Sequence, residues 1–282
     1  HEFHCVMLLI WDGLRVEIPQ GMETGLLDRG YIHLFGSKLP SVDFRFSALE
    51  RPFDPEQDGR RIQRKAGLPK EDIEQCRDSW ARRLGRRLYH SSRLYLFLFD
   101  EAPIVVAGYF SEPPPSALVE QIFTSIGWFP RESWRPWSCH DIAFETPPHY
   151  TLQQAVFQPG HYRLTFAKDS GRLIFDRLAP ANVLLENISL IDWIGRNLDY
   201  AAGPGTEIVS RGTTELDFME KTSLFSKVTS WYPRVGRYVR GTVRHHEAGN
   251  KILIITMQGA APNEDAYQRI RASYATNTTF TR

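Results

Sequence analysis

Residues 79–89 read Ser-Trp-Ala-Arg-Arg-Leu-Gly-Arg-Arg-Leu-Tyr, and residues 230–240 read Ser-Trp-Tyr-Pro-Arg-Val-Gly-Arg-Tyr-Val-Arg. Aligned without a gap, Ser79, Trp80, Arg83, Gly85 and Arg86 fall on Ser230, Trp231, Arg234, Gly236 and Arg237, while Leu84 and Leu88 fall on Val235 and Val239. Five identities in eleven positions, one of them a Trp, read as a tandem duplication.

Outward from this stretch the rest of the chain repeats as well. Leu14, Val16 and Ile18 alternate with Arg15 and Glu17 ahead of Pro19, the period-two mark of a half-buried strand. Their counterparts are Ile142, Phe144 and Pro147, and Glu17 lands on Glu145, all at a spacing of 128. Later in each unit Ile104 pairs with Ile252, Pro114 with Pro262, Ile122 with Ile270 and Ser125 with Ser273, at a spacing of 148. The spacing changes fall in turns, where duplicated domains tolerate insertions and deletions.

Each unit is predicted to open on three antiparallel strands: Leu14–Ile18, Gly30–Phe35 and Val42–Phe46 in the first, and the Ile142 strand, His161–Phe166 and Leu173–Phe175 in the second. Helical segments follow. Ile73, Cys76, Trp80, Leu84 and Leu88 recur at three- and four-residue steps and predict a helix over 69–88, after a polar one over 55–68. In the second unit one apolar helix is expected over 180–198, with a loop over 201–212. Both units then close on a hairpin (94–99 with 104–109; 238–244 with 252–257) and a terminal helix (116–126; 264–274). The expected fold is α+β, with two tandem duplicated domains, residues 1–132 and 133–282, each an antiparallel sheet with packed helices. The two prolines of Pro130-Arg-Glu-Ser-Trp-Arg-Pro-Trp137 mark the expected linker.

Bulk properties agree with two units. A length of 282 residues allows two ordinary cores, and 42% hydrophobic with 24% charged residues describes a soluble globular chain. A net charge of +1 argues against a dedicated nucleic-acid binder. Cys5, Cys76 and Cys139 are too few and too scattered for a disulfide framework, which favours a reducing, cytoplasmic setting. The apolar run Val6–Trp11 is far shorter than the ~18 residues of a membrane span.

An alternating strand ending in Pro, the Gly-His-Tyr-Arg-Leu-Thr-Phe stretch at 160–166, the apolar Lys251–Met257 strand of a hairpin, and a final helix with Ile270 and Ser273 resemble the PsbP-like superfamily. That group includes the extrinsic photosystem subunit, DcrB-type lipoproteins and a small nuclear-import factor. The resemblance implies a non-catalytic binding or assembly module of α/β/α sandwich domains, with no catalytic residue to carry over.

Candidate binding residues cluster in the second copy: Trp231, Tyr232, Arg234, Arg237, Arg240, Arg244 and His246. Arginine forks beside a glycine suit carboxylate or phosphate; the alternative is that these arginines pair within their own domain. Trp80 and Trp231 read either as docking residues or as core. Pro233 stands where the first copy has Arg82, so the second copy is expected to leave the helix near Trp231. His245-His246-Glu247 lacks the spacing that places two His on one helical face, no Gly-x-Ser-x-Gly elbow occurs, and the Gly203–Thr206 loop lacks a phosphate-binding lysine. No cofactor, metal or catalytic residue is therefore expected. A binding or assembly module with a protein partner is the first reading, with an anionic ligand at the basic cluster as an addition. An enzyme or ligand-binding protein with its site between the repeats is the alternative.

Overall fold

The computed structural model describes residues 7–83, 87–99, 102–202, 206–220, 238–259 and 263–276. In chain order the first elements are β1 (Met7–Trp11), β2 (Leu14–Ile18), β3 (Met22–Asp28), β4 (Tyr31–Gly36), β5 (Val42–Ala48), α1 (Pro55–Lys65), β6 (Glu74–Gln75), α2 (Ser79–Arg83), β7 (Arg87–His90), β8 (Leu94–Leu98), β9 (Ile104–Phe110), α3 (Ser116–Ser125) and β10 (Gly127–Trp128). They are followed by β11 (Arg135–Cys139), β12 (Ile142–Thr146), β13 (Thr151–Gln158), β14 (His161–Lys168), β15 (Gly171–Leu178), α4 (Ala181–Leu184), α5 (Leu190–Ala202), β16 (Thr206–Arg211), β17 (Glu215–Glu220), β18 (Tyr238–His246), β19 (Lys251–Gly259), α6 (Glu264–Ser273) and β20 (Ala275–Thr276).

The chain is a mixed α+β protein that divides into two compact units. Seven strands in the order β3-β4-β5-β9-β8-β7-β6 make the sheet of the first unit, and seven in the order β13-β14-β15-β19-β18-β17-β16 make that of the second. The described pairings in them are antiparallel, and the strand orders correspond position by position.

Alternation decides how each sheet is buried. In the first unit Ile32, Leu34, Val42, Phe44, Val106 and Phe110 point to one face and are fully buried. Helix α3 packs there through Phe123, whose ring meets Phe44 and Phe97. A Cβ at Gly108 would stand 3.1 Å from ring atoms of both Phe123 and Phe44, so a glycine lets helix and strand close up. In the second unit Phe144 of β12 stacks on Phe175 of β15 with centroids 4.0 Å apart, and Tyr274, just after α6, meets Phe175 edge-on.

The opposite faces are covered differently. Helix α5 offers Leu190, Trp193 and Ile194 to Leu216, Val243, Ile252 and Ile254, a closed apolar core. Helix α1 has Asp58, Gly59 and Gln63 as its buried residues, and beside it Leu94, Leu96 and Ala107 form a small cluster with the partly buried Ile62 of α1, Phe53, Leu68, Ile73, Tyr89 and Tyr109.

Several expectations are corrected. The helix over 69–88 is reduced to Ser79–Arg83: Glu74–Gln75 and Arg87–His90 are strands, and Leu88 is buried opposite Phe97 on β8 rather than on a helix. Edge pairing to an apolar strand overrode a helical period. The helix over 180–198 is two helices, because Asn187 adopts a left-handed φ of 60° and Ser189 accepts from the Asp192 amide to start the second. The loop over 201–212 contains β16. Strands β1, β3 and β13 were not foreseen. Within the expected linker, Arg135–Cys139 is a strand: β11 pairs antiparallel with β1, and Arg135–Asp141 belongs to the first unit while Glu132–Trp134 belongs to the second.

Candidate functional site

Arg240, Thr242 and Arg244 alternate along β18 and so share the face toward α6. Arg240 pairs with Glu264 and lies over the Tyr267 ring at 4.4 Å. Thr242 bonds Asp217 and Tyr267. Arg244 donates to Glu215 at 3.0 Å and to the Tyr274 carbonyl at 3.1 Å, and Arg271 reaches the same Glu215 at 2.9 Å. Burial would raise the Glu215 pKa, but hydrogen bonds from Arg271 and Arg244 outweigh it and hold the carboxyl below the usual range. His246 accepts from the Gly249 amide at the turn into β19 and lies 3.1 Å from the Thr276 hydroxyl. Of the seven candidate residues, these three therefore meet groups of their own unit. Trp231, Tyr232, Arg234 and Arg237 lie outside the described residues, as do Gly85 and Gly236. Trp80 is buried on α2.

Sequence reading missed a different polar group, on the first strands of each sheet. On β4 and β5 Asp43 stands opposite His33 and takes its Nδ1 at 2.7 Å, while the Tyr31 hydroxyl donates to the same carboxylate at 2.5 Å. Burial, then the Asp43 hydrogen bond, pushes the Tyr31 pKa up to about 12. Arg45 lies over the Tyr31 ring at 5.6 Å, and Phe35 stacks on His33 with 42% of its surface exposed. In the second unit Asp176 of β15 binds His161 at 2.7 Å and Arg163 through both its carboxylate oxygens, at 2.7 and 3.0 Å. On the other face of those strands Arg177 lies over Tyr162 at 4.7 Å, and Tyr162 meets Phe157 edge-on. The sequence signal was the alternation Tyr31-x-His33-x-Phe35 and Asp43-x-Arg45, polar where the other parity is wholly apolar.

Beside the first group, α1 stands off the sheet and leaves a cleft of about 660 Å³. Residues 58, 61, 62 and 65 of α1 form one wall, as their three- and four-residue steps require, and Arg45, Ser47, Val105, Ala107 and Tyr109 form the floor. Asp58 is 3% exposed and is held by Arg51 at 2.8 Å and Arg61 at 3.0 Å. Among the described residues neither Arg45 nor Lys65 is paired to a carboxylate. Burial pushes the Tyr109 pKa up to about 12, so its phenol is neutral at physiological pH. Among the described residues no three His, Cys, Asp or Glu side chains are grouped as a metal ion needs, and no described helix is long and apolar enough to cross a membrane.

No family model and no curated protein matches the sequence. Among solved structures, a mutant of the protein Mog1 aligns at 9% identity over 51% of this chain and 96% of its own, with a TM-score of 0.33. The immunity protein TplEi of the T6SS of Pseudomonas aeruginosa, complexed with an L peptide, aligns at 11% identity over 99% of this chain and 100% of its own, with a TM-score of 0.28. The Tle4–Tli4 complex gives 12% identity, the same coverages and a TM-score of 0.29. At these values the function has to be argued from this chain's own residues.

Proposed function

We propose that the chain is a tandem duplication that acts as a non-catalytic binding or assembly module, with a protein as its partner. A place in the PsbP-like superfamily, with α/β/α sandwich units, is part of the same proposal. The duplication is supported by one contact made twice: Ser125 donates to the Ile122 carbonyl and accepts from the Glu17 amide at 2.9 Å, and Ser273 does the same with Ile270 and Glu145, also at 2.9 Å.

The binding role rests on the half-open face of the first sheet. Helix α1 covers β8 and β9 and leaves Tyr31, His33, Phe35 and Arg45 at the surface, the aromatic and arginine types that dominate protein interfaces. Phe157, Tyr162 and Arg177 are the same types on the corresponding strands of the second unit. The stretch Trp231–Arg237, outside the described residues, is carried forward as a third candidate contact.

The test is affinity purification of the chain from its source cells, with Phe35→Ala and Tyr162→Ala compared with the wild type. A protein retained by the wild type and lost by variants that fold normally supports the proposal. Retention of the same protein by both variants would overturn the role given to these faces.

A further inference from the structure

The cleft lies between α1 and the central strands β5 and β9; it adjoins the open face given a binding role above and shares Arg45 with it, but its occupant would be a small molecule rather than a protein. Its origin is the sequence of α1. A helix that buries Asp58, Gly59 and Gln63 cannot seal against a sheet as α5 does with Leu190, Trp193 and Ile194, so space is left along residues 58, 61, 62 and 65. That space is ligand-sized, since small-molecule sites run to roughly 300–1,000 Å³.

The lining has two halves. Arg45, Arg51, Arg61 and Lys65 line the cleft against two carboxylates, Glu50 and Asp58. Arg51 and Arg61 both turn to the buried Asp58, which leaves Arg45 from the sheet and Lys65 from the last turn of the helix as cations with no carboxylate of their own among the described residues. Val105, Ala107, Ile62 and Phe53 supply an apolar surface beside them. Cations of this kind favour an anion, and the apolar strip favours a hydrocarbon or aromatic body attached to it.

We propose that this cleft binds a small amphipathic organic anion, with its anionic head between Arg45 and Lys65 and its apolar body along Val105, Ala107 and Ile62. The probe is decanoate, titrated into the whole chain by calorimetry, with decyltrimethylammonium as the matched cation and methyl chemical shifts as a second readout. The expected result is saturable binding of decanoate at one site, at least tenfold tighter than the cation, with shifts at the Val105, Ala107 and Ile62 methyls. The double variant Arg45→Glu, Lys65→Glu changes two half-exposed or exposed side chains and should keep the fold, as circular dichroism will show, while losing at least tenfold in decanoate affinity. A milder pair, Arg45→Gln and Lys65→Gln, covers the case in which charge reversal unfolds the unit, and should lose affinity in the same direction. Equal affinity for anion and cation, unchanged affinity in a folded variant, or no binding at millimolar decanoate would each overturn the proposal.

Discussion

Single residues explain how the chain holds its turns and its buried charges. Asp12 and His140 both take a left-handed φ, 47° and 49°, one at the β1–β2 turn and one directly after β11. Asp12 also accepts from Arg135 at 3.1 Å and from the Gly30 amide, and all but a few per cent of both side chains is buried. Burial raises the Asp12 pKa despite the nearby guanidinium. Breaking a buried pair costs more than the pair contributes, so Arg135→Leu is expected to lose ~3–5 kcal/mol of stability in denaturant titrations at neutral pH. Part of that loss should be regained in acid, where protonation removes the stranded charge. Glu215 gives the opposite sign. Its folded pKa is depressed, so its contribution is present above the ordinary value of 4.5 and is lost as the pH falls through the folded value. Glu215→Gln should therefore flatten the decline in stability below pH 4.5, as read by chemical denaturation across that range.

At the scale of elements, what could be read from the sequence was whatever owed its form to a regular apolar pattern that packing agrees with. The β8–β9 and β18–β19 hairpins and helices α3 and α6 lie within two residues or so of expectation, because their apolar pattern and their packing agree. The region 69–90 failed for a definite reason: Cys76, Trp80 and Leu88 are all buried, as a helical face would be, but Cys76 lies just after the short strand β6, Trp80 on the short helix α2 and Leu88 on strand β7. Burial alone does not distinguish these. Trp80→Ala is still expected to cost ~3–5 kcal/mol, as for a large core aromatic, since the indole is 5% exposed. Its counterpart Trp231 lies outside the described residues. At Gly108, Ala is expected to destabilise by ~1–3 kcal/mol through overpacking against Phe44 and Phe123. Thermal unfolding reads both. The candidate site was less legible than the fold. Runs of arginine drew attention to β18, where Glu264 and Glu215 answer Arg240 and Arg244 from distant positions in sequence. The open face on β4 and β5 carries fewer charges and shows only when the reach of α1 is known.

For the whole molecule, the two seven-stranded sheets share one strand order, and the proposed duplication makes that a consequence of ancestry rather than of convergence. It predicts that the Ser125→Ala and Ser273→Ala variants each lose ~1 kcal/mol, since each leaves one backbone amide without its acceptor. Strongly unequal losses would argue that the two contacts are unrelated. The difference in the covering helices then acquires meaning: α5 seals its unit, while the polar α1 leaves one face and one cleft open. Cross-linking of the chain to its copurified protein, followed by mass spectrometric mapping of the linked sites, tests the binding role most directly. Links to residues on or beside β3–β5 and β13–β15, lost together with the protein itself in the Phe35→Ala, Tyr162→Ala double variant, are the predicted result. Links confined to other elements, with capture unchanged in that variant, would contradict it.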